Sequence, residues 1–281
     1  MTDTILVLGA TGKTGRRLVR QLLAKGAHVR TASRNPGEGR TLFDWARPET
    51  HGPALAGANA IYLVDPAMVE DPTELTGPFL DLARQAGVKK LALLSSLGIT
   101  FPNEDGQSGR HKLERQVMAS GLDWTILRPS GFNQNFSESF LLPGILQADM
   151  VATATGNGAV GFVDADDIAA VAAAALTEDG HGDAIYPITG PEALSFAEAT
   201  AIIGKAAGRV VTHRQISSDE YGQMLQQAGI PPDYVGDIVR NQEAIRDGHG
   251  GLVTDTVMQV TGRAPIRFAD FAAGAASVWA R

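Results

Sequence analysis

The chain has 281 residues, of which 44% are hydrophobic, so it can bury one large core or one core with a smaller cap, as soluble globular proteins do. Its formal net charge of -7 argues against a nucleic-acid surface, which would need clustered lysines and arginines. The sequence contains no cysteine, which excludes disulfides, thiolate nucleophiles and cysteine-ligated metal sites and is compatible with a cytoplasmic location.

Targeting and membrane segments are not expected. The first predicted strand begins within a few residues of Met1, which leaves no room for a signal peptide. The longest apolar run, residues 168–176, falls short of the ~20 residues of a membrane span. This run is alanine-rich with acidic flanks, and we expect a helix packed on a sheet. We therefore expect a small-molecule substrate, no nucleic-acid or membrane partner, and make no prediction of the oligomeric state.

The first feature in the chain is an apolar run over residues 5–8 that stops at Gly9 and is followed by a helical pattern. This order predicts a strand, a tight turn and the start of a helix. Glycine at positions 9, 12 and 15 allows positive φ, close approach of a ligand, and close packing of the helix on its strand. Free N–H groups at the helix start would then face a pyrophosphate.

A competing interpretation comes from Gly12, Lys13 and Thr14, which imitate the end of the P-loop motif G-x-x-x-x-G-K-[ST]. That motif would place its first glycine at position 7, and this residue is Val7, inside the apolar run. The loop is therefore too short to wrap a triphosphate. A dinucleotide is the better prediction.

The second predicted strand, residues 28–33, ends in Ser33 and Arg34. NAD-selective folds place an acidic residue here to bind the ribose 2′-hydroxyl, and this sequence has none. Arg34 could instead donate to a 2′-phosphate, and Lys13 could reach the same group. The alternative is a solvated loop arginine. The pattern favours NADP(H) over NAD(H).

The third and fourth strands predict further cofactor contacts at their ends. The third ends just before Asp44 and Trp45, which we expect near the adenine, although a structural role for Trp45 is an equal alternative. The fourth, residues 59–64, ends at Val64 and is stopped by Pro66, because proline cannot continue a central ladder. Strand ends at this edge line the ligand crevice of a doubly wound sheet.

A helix over residues 73–86 leads to a fifth strand, residues 90–95, which places Ser95 and Ser96 at the crevice. Such serines can bind a nicotinamide or a substrate, or they can cap local backbone. A helix over 110–120 and a sixth strand over 123–127 continue the alternation.

Strands that alternate with helices predict a parallel sheet with right-handed crossovers. We therefore predict an α/β protein with a Rossmann-type, doubly wound parallel sheet built from residues 1–132 and about 159–190.

The alternation loosens beyond residue 133. We expect an apolar segment over 136–147, broken at Pro143 and Gly144, and then a loop rich in threonine and glycine up to residue 158.

The remainder is predicted to be mainly helical. The alanine-rich helix has an acidic first turn, which the helix dipole favours, and the strand at 184–189 contains Pro187, which suggests a sheet edge. One more strand is expected near 210–215. Residues 133–158 and 191–281 are thus predicted to form a small, mostly helical cap over the substrate.

The motifs that carry a family resemblance are residues 9–15 (GATGKTG), 95–96 (SS), 120–129 (SGLDWTILRP), 162–169 (FVDADDIA) and 188–192 (ITGPE). On these motifs, and over essentially its full length, the sequence resembles the NmrA-like, atypical short-chain dehydrogenase/reductase group. Within that group it is most similar to the branch with bacterial NAD(P)H:quinone reductases and ergot-alkaloid reductases such as festuclavine synthase and agroclavine dehydrogenase.

The resemblance implies that NADP(H) is held by the glycine turn and Arg34, with the substrate over the nicotinamide and residues 129–132 beside the carboxamide. Together with the strand ends, it predicts cofactor contacts at Gly9, Thr11, Gly12, Lys13, Thr14, Gly15, Ser33, Arg34, Asp44, Trp45, Val64, Pro66, Ser95, Pro129, Ser130 and Phe132. The predicted substrate pocket is lined by Ser96, His111, Phe132, Asn135, Phe136 and Phe140.

The proton-donating pair of ordinary short-chain dehydrogenases, Tyr-x-x-x-Lys, is missing from the sequence. The residues four positions after the four tyrosines are Pro66, Gly190, Leu225 and Ile238. His111 is the candidate proton donor, because histidine titrates near neutrality, and a solvated histidine at a helix start is the alternative. The sequence also lacks the H-E-x-x-H and G-x-S-x-G motifs, so we predict no metal site.

Three functions remain open on the sequence alone. The first is an NADPH-dependent oxidoreductase that transfers a hydride to an iminium-type or quinone-type acceptor. The second is a non-catalytic, NADP(H)-binding regulator that senses redox state, which the family also contains. The third is an isomerase or cyclase on the same fold.

Overall fold

The computed structural model describes residues 4–35, 37 and 39–280. The strands are β1 (Thr4–Val7), β2 (His28–Ser33), β3 (Thr41–Leu42), β4 (Ala58–Val64), β5 (Lys90–Leu94), β6 (Asp123–Pro129), β7 (Met150–Thr153), β8 (Ala159–Val160), β9 (Ala184–Ile188), β10 (Leu194–Ser195) and β11 (Thr212–Gln215). The α-helices are α1 (Lys13–Ala24), α2 (His51–Leu55), α3 (Thr73–Gln85), α4 (Gly109–Met118), α5 (Asn135–Glu138), α6 (Leu142–Ala148), α7 (Ala165–Thr177), α8 (Phe196–Ala207), α9 (Ser218–Gln227), α10 (Pro232–Arg246), α11 (Thr256–Thr261) and α12 (Phe268–Gly274).

Seven strands form one sheet in the order β3-β2-β1-β4-β5-β6-β9. β1 pairs in parallel with both β2 and β4, β4 pairs with β5, and β5 pairs with β6. The strand order therefore reverses beside β1, and such a reversal opens a crevice beyond the carboxyl ends of the strands. The predicted Rossmann-type parallel sheet is confirmed. β9 lies at the sheet edge, as Pro187 suggested.

The central strands are buried because their sequences are apolar without alternation. Leu6 of β1, Ile61 and Leu63 of β4, Leu93 of β5 and Ile126 of β6 are all 0% exposed. Continuous apolar runs of this kind are typical of parallel strands that are covered on both faces. These residues belong to one hydrophobic cluster, which anchors the strand ends that form the candidate site.

The alanine-rich segment forms the buried helix α7, as predicted. Its residues 168, 169 and 171–176 are at most 4% exposed. Asp166 in its first turn accepts a hydrogen bond from Arg17 Nε at 3.2 Å and also contacts Arg20, so α1 and α7 are joined by charge. The acidic residue also complements the positive end of the helix dipole.

The chain divides into two compact units by its internal contacts. Unit 1 comprises Met1–Ser96, Gly106–Arg128 and Asp166–Pro187, and unit 2 comprises Leu97–Asp105, Pro129–Ala165 and Ile188–Arg281. The predicted functional division, with a nucleotide-binding part and a substrate cap, stays a prediction. It differs from these bounds at residues 97–105, 129–132, 159–165 and 188–190, which it places with the sheet and which belong to unit 2.

Unit 2 has its own apolar core and two small sheets. β10 pairs with β8 antiparallel, and β11 pairs with β7 in parallel. Trp279 is fully buried, and its indole Nε1 donates to the carbonyl oxygen of Phe136 at 2.9 Å. Throughout the described part of the chain, no helix is both long and apolar enough to cross a membrane.

Two sequence-based predictions in unit 2 were wrong. The break expected at Pro143 and Gly144 lies earlier, because α6 begins at Leu142 and proline in a first helical turn needs no N–H partner. The segment predicted as a loop up to residue 158 contains β7, whose partner β11 lies about sixty residues further along the chain.

Candidate functional site

The turn after β1 requires glycine at three positions, one for its backbone conformation and two for close packing. Gly9 has a φ of +62°, which side-chain-bearing residues rarely adopt, and its carbonyl oxygen accepts from the N–H of Gly12 at 2.8 Å. A Cβ on Gly15 would lie 2.2 Å from that same oxygen, and one on Gly12 would lie 3.1 Å from it. The helix can therefore pack this closely on the turn only with glycine.

The N-terminus of α1 begins at this turn with Gly12 as its N-cap, which provides no side-chain hydrogen bond. The first N–H groups of a helix have no partner within the helix, and they suit an anion such as a pyrophosphate. The exposed Thr11 precedes them. The backbone therefore suits a diphosphate, and the binding of a dinucleotide by this turn stays a prediction.

Thr14 lies beneath the turn. It is 4% exposed, and its Oγ1 accepts a hydrogen bond from the Tyr62 hydroxyl at 2.9 Å. Burial raises the pKa of Tyr62 above that of an ordinary tyrosine. Tyr62 on β4 thus supports the start of α1 and remains protonated. No local pattern in the sequence predicts this contact.

The end of β2 carries no carboxylate. The Ser33 hydroxyl donates to the carbonyl oxygen of Asn35 at 2.8 Å, and Arg34 is exposed. Lys13 is half-buried, and its carbonyl oxygen accepts from Arg17 Nη1 at 2.9 Å. Ser33 therefore shapes the turn that presents Arg34. A contact of Arg34 or Lys13 with a 2′-phosphate stays a prediction.

The residues after β3 form an aromatic cluster. The rings of Phe43, Trp45, His51 and Phe79 lie 4.9 to 5.8 Å apart, and the Trp45 Nε1 donates to the carbonyl oxygen of Val64 at 3.2 Å. Trp45 therefore has the structural role that was the alternative. A contact with adenine stays a prediction.

Asp44 and Pro66 lie at the ends of β3 and β4. The Asp44 carboxylate accepts from the N–H of Ala46 at 3.0 Å, and its carbonyl oxygen lies 3.0 Å from His51 Nε2. Pro66 is buried directly after β4. In the same loop, Met68 has a φ of +59° and is 51% exposed. Strained residues of this kind cluster where a loop serves a ligand.

The end of β5 carries a polar cluster, which we call the serine–carboxylate cluster: the buried Ser95 and Glu114 and the half-buried Arg128. The Ser95 Oγ lies 2.5 Å from Glu114 Oε1, and Arg128 donates to Oε1 at 3.1 Å and to Oε2 at 2.6 Å. Glu114 is 2% exposed and Ser95 is 6% exposed. Sequence reasoning missed Glu114 and Arg128. The available signal was a charge on the buried face of α4, between Leu113 and Val117.

His111 lies in the first turn of α4. Its N–H and its Nδ1 both lie 3.4 Å from the Oγ of Ser108, the helix N-cap. Its neighbour Lys112 forms an ion pair with Asp71 at 2.7 Å. Hydrogen bonds from Lys112 and then Thr73 lower the pKa of Asp71 to about 2. A role of His111 as proton donor stays a prediction.

The predicted site residues of unit 2 have different environments. Phe132 forms an isolated parallel bridge with Val163, and Phe140 is 60% exposed. Phe136 is 0% exposed, and its ring contacts other phenylalanines of the unit 2 core, including Phe268 at 5.4 Å. Phe136 is therefore a core residue, and we correct the expectation that it lines a pocket. The remaining predicted residues are Pro129, which is buried, and Ser130 and Asn135, which are half-buried, as is Ser96 of unit 1.

A concave region of unit 1 lies at the amino ends of the strands, opposite the edge of the candidate site. This cleft has a volume of about 650 Å³ and is lined by residues that include Lys25, His28, Asn59, Lys89 and Glu178. Lys25 forms an ion pair with Glu178 at 2.9 Å. Because doubly wound sheets bind ligands at the carboxyl ends, we do not assign this cleft to the cofactor. In the described residues no group of three or more histidines and acidic residues could hold a metal ion.

Comparisons with known proteins agree with this geometry. The sequence profile of the NAD(P)H-binding family matches residues 9–179. The chain is 34% identical to the NAD(P)H azoreductase of Xenophilus azovorans, over 95% of this chain and 96% of the relative. It is 33% identical to festuclavine synthase II of Penicillium roqueforti, over 99% of this chain and 100% of the relative.

Among solved structures, an NADPH-dependent quinone oxidoreductase of Escherichia coli in complex with NADPH superposes with a TM-score of 0.81 at 22% identity, covering 96% of this chain and 99% of that chain. This likeness supports the fold. The predicted resemblance to NmrA-like reductases, festuclavine synthases among them, is confirmed. The matched profile spans most of unit 1 and includes the glycine turn, and the chain therefore belongs to the NAD(P)H-binding family.

Proposed function

We propose that this protein is an NADPH-dependent reductase that transfers a hydride to a small organic acceptor of the iminium or quinone type. Its membership of a family with NAD(P)H-dependent oxidoreductases supports the general activity. The observation that carries the preference for NADPH is the end of β2, where Arg34 is exposed and no carboxylate is present. The related proteins include an azoreductase, a festuclavine synthase and a quinone oxidoreductase, which supports conjugated or nitrogen-containing acceptors.

The residues of unit 1 fit the coenzyme on structural grounds. A side chain at Gly15 would collide with the turn, and the N-terminus of α1 has no side-chain cap, so the backbone there suits a diphosphate. Gly9, Gly12 and Gly15 would hold that diphosphate, and Arg34 would bind the 2′-phosphate. When bound, the coenzyme supplies the hydride, and the protein supplies orientation and electrostatics.

The class of acceptor follows from the absence of a Tyr-x-x-x-Lys pair. Reduction of a plain ketone places negative charge on an alkoxide, which needs an acid or an oxyanion donor, whereas reduction of an iminium removes a charge that is already present. A quinone delocalises its charge and needs less help. Tyr62 cannot replace the missing donor, because it is fully buried and donates to Thr14.

Coenzyme preference is tested by titrating NADPH and NADH into the unaltered protein and into Arg34→Ala. A charge-assisted contact contributes roughly 1.5–3 kcal/mol, so Arg34→Ala should weaken NADPH by about one to two decades and leave NADH unchanged. Arg84→Ala is the matched control, because Arg84 is exposed on α3 and forms a surface pair with Asp81. Equal affinities of NADPH and NADH in the unaltered protein would refute the preference.

Acceptor class is tested by steady-state turnover of cyclic imines, quinones and ketones of similar size, with NADPH consumption and product both measured. We expect kcat/KM for imines or quinones to exceed that for ketones. Efficient ketone reduction that is lost on changing a single tyrosine would contradict the proposal. Tight NADPH binding without turnover of any acceptor would instead favour the redox-sensing function.

A further inference from the structure

The serine–carboxylate cluster determines which hydrogen-bonding role Ser95 can play. An arginine guanidinium only donates hydrogen bonds and stays charged in proteins, so Arg128 holds the Glu114 carboxylate as its ion-pair partner. A carboxylate only accepts, and therefore the contact of 2.5 Å between Glu114 Oε1 and Ser95 Oγ is a hydrogen bond donated by the serine. A serine hydroxyl has one proton. Once that proton is directed to Glu114, Ser95 can offer a ligand only its lone pairs.

Ser95 also lies at the correct edge of the sheet to meet a ligand. It follows β5 directly, and its backbone N–H donates to the carbonyl oxygen of Leu127 on β6 at 2.7 Å. The carboxyl ends of parallel strands line the ligand crevice, where the nicotinamide half of a dinucleotide lies. Ser95 is held there by both its backbone and its hydroxyl, because Glu114 and Arg128 come from the adjacent α4 and β6.

We propose that Ser95 is a hydrogen-bond acceptor for an N–H group of the bound ligand, and that Glu114 and Arg128 are the positioning residues that fix this role. The proposal rests on the proposed reductase function. Two sources could supply the N–H group: the carboxamide of the nicotinamide or the N–H of an iminium substrate. In either case the cluster selects a donor and disfavours a carbonyl oxygen, so Ser95 does not polarise a ketone.

The coenzyme source is tested by fluorescence titration with NADPH and with its 3-acetylpyridine analogue, in which a methyl group replaces the amino group and the carbonyl is kept. We expect the unaltered protein to bind NADPH about tenfold more tightly than the analogue, because only the amino group donates to Ser95. Ser95→Ala should bind the two equally, and Ser95→Thr should keep the preference.

The positioning role is tested with Glu114→Gln. A glutamine amide can donate to Ser95, which frees the serine proton, so the preference for NADPH over the analogue should fall towards one. A merely structural role would weaken both ligands by the same factor and leave their ratio unchanged. Glu74→Gln, on the exposed first turn of α3, is the control and should match the unaltered protein.

The substrate source is tested by KM values of Ser95→Ala for an imine and for a quinone. If the substrate supplies the N–H group, Ser95→Ala raises KM several-fold for the imine and leaves KM for the quinone unchanged. In that case the unaltered protein binds NADPH and its 3-acetylpyridine analogue with nearly equal affinity. The proposal is overturned if neither the ratio nor the imine KM depends on Ser95 in variants that melt like the unaltered protein. Should Ser95→Ala unfold, Ser95→Thr and Glu114→Gln are compared instead: the proposal requires that the threonine variant keep the preference and that the glutamine variant lose it. Failure of the unaltered protein to bind NADPH would refute the proposed function instead.

Discussion

The substitution Gly15→Ala tests whether the close packing of α1 on the glycine turn holds the candidate site together. The added Cβ would lie 2.2 Å from the carbonyl oxygen of Gly9, 2.8 Å from its carbonyl carbon and 3.0 Å from the Cα of Ala10. All three atoms belong to the backbone and cannot rotate away. Carbon atoms pack best at about 3.5–4.0 Å, so the helix start would have to move by roughly 1 Å.

The expected cost follows from overpacking. Forced backbone shifts typically cost about 1–3 kcal/mol, and this contact belongs at the upper end because no side chain can yield. At about 2–4 °C per kcal/mol for a chain of this size, Tm should fall by about 6–12 °C. A moved helix start would also misalign the N–H groups that suit a diphosphate, and NADPH affinity should fall by about tenfold or more.

The assay combines thermal denaturation with NADPH titration on the same samples. Gly274→Ala is the control, because a Cβ there meets nothing within 4 Å and alanine is favoured over glycine in a helix. We expect this control to keep Tm and affinity or to raise Tm slightly. A Gly15→Ala protein with unchanged Tm and unchanged affinity would refute the reasoning that links the glycine spacing to the site.

Three further predictions concern the support of the site and the core. Tyr62→Phe removes the hydrogen bond to Thr14 and should lower the free energy of unfolding in urea by about 0.5–1.5 kcal/mol; no change would remove the supporting role. Phe136→Ala should lower the free energy of unfolding by about 3–5 kcal/mol, because the Phe136 ring is fully buried, and thermal denaturation measures this loss. A variant that is as stable as the unaltered protein but has a different substrate range would instead show that Phe136 lines the substrate pocket. The lowered pKa of Asp71, about 2 against 3.8, stabilises the fold above pH 3.8, and this contribution is lost as the pH falls through about 2. Because the Lys112–Asp71 pair is partly exposed, Lys112→Met should lower the free energy of unfolding by less than about 1 kcal/mol, and only above the pH at which Asp71 is protonated. Urea titrations at several pH values measure this difference.

The fold of unit 1 could be predicted because local signals and the global topology agree. β2 occupies residues 28–33 as predicted, and apolar runs, glycine stops and helical spacing mark the other large elements. Each of these signals lies within about a dozen residues of sequence. The strand order then follows from the crossover rule rather than from any single residue.

The errors in unit 2 have the opposite cause. β7 has no marked pattern of its own and exists through pairing with β11, which forms a tertiary contact that local sequence does not report. The break predicted at Pro143 was wrong because proline can either end a helix or begin one, and here it lies in the first turn of α6. The importance of Phe136 was inferred from its position after a strand, whereas its burial depends on Phe162, Phe196 and Phe268.

The candidate site divides in the same way. Glycine spacing reports a backbone shape directly, so the turn that suits a diphosphate could be predicted residue by residue. Ser95 was predicted at the end of its strand, but the role that we propose for it depends on Glu114 and Arg128. Glu114 lies 19 positions after Ser95, and Arg128 lies 14 positions after Glu114. A charge pair of this kind leaves no spacing motif in the sequence.

This division makes the coenzyme and the acceptor experimentally separable. The diphosphate half of the candidate site is formed by backbone, which Gly15→Ala displaces and Ser95→Ala leaves in place, so the first substitution should weaken NADPH and its acetylpyridine analogue equally. Ser95→Ala changes one hydroxyl and should alter only the ratio between them. If both variants lowered affinity without changing that ratio, the nicotinamide end would be held by shape alone. Ser95 would then not select the N–H group of the coenzyme, while the assignment of the glycine turn would stand.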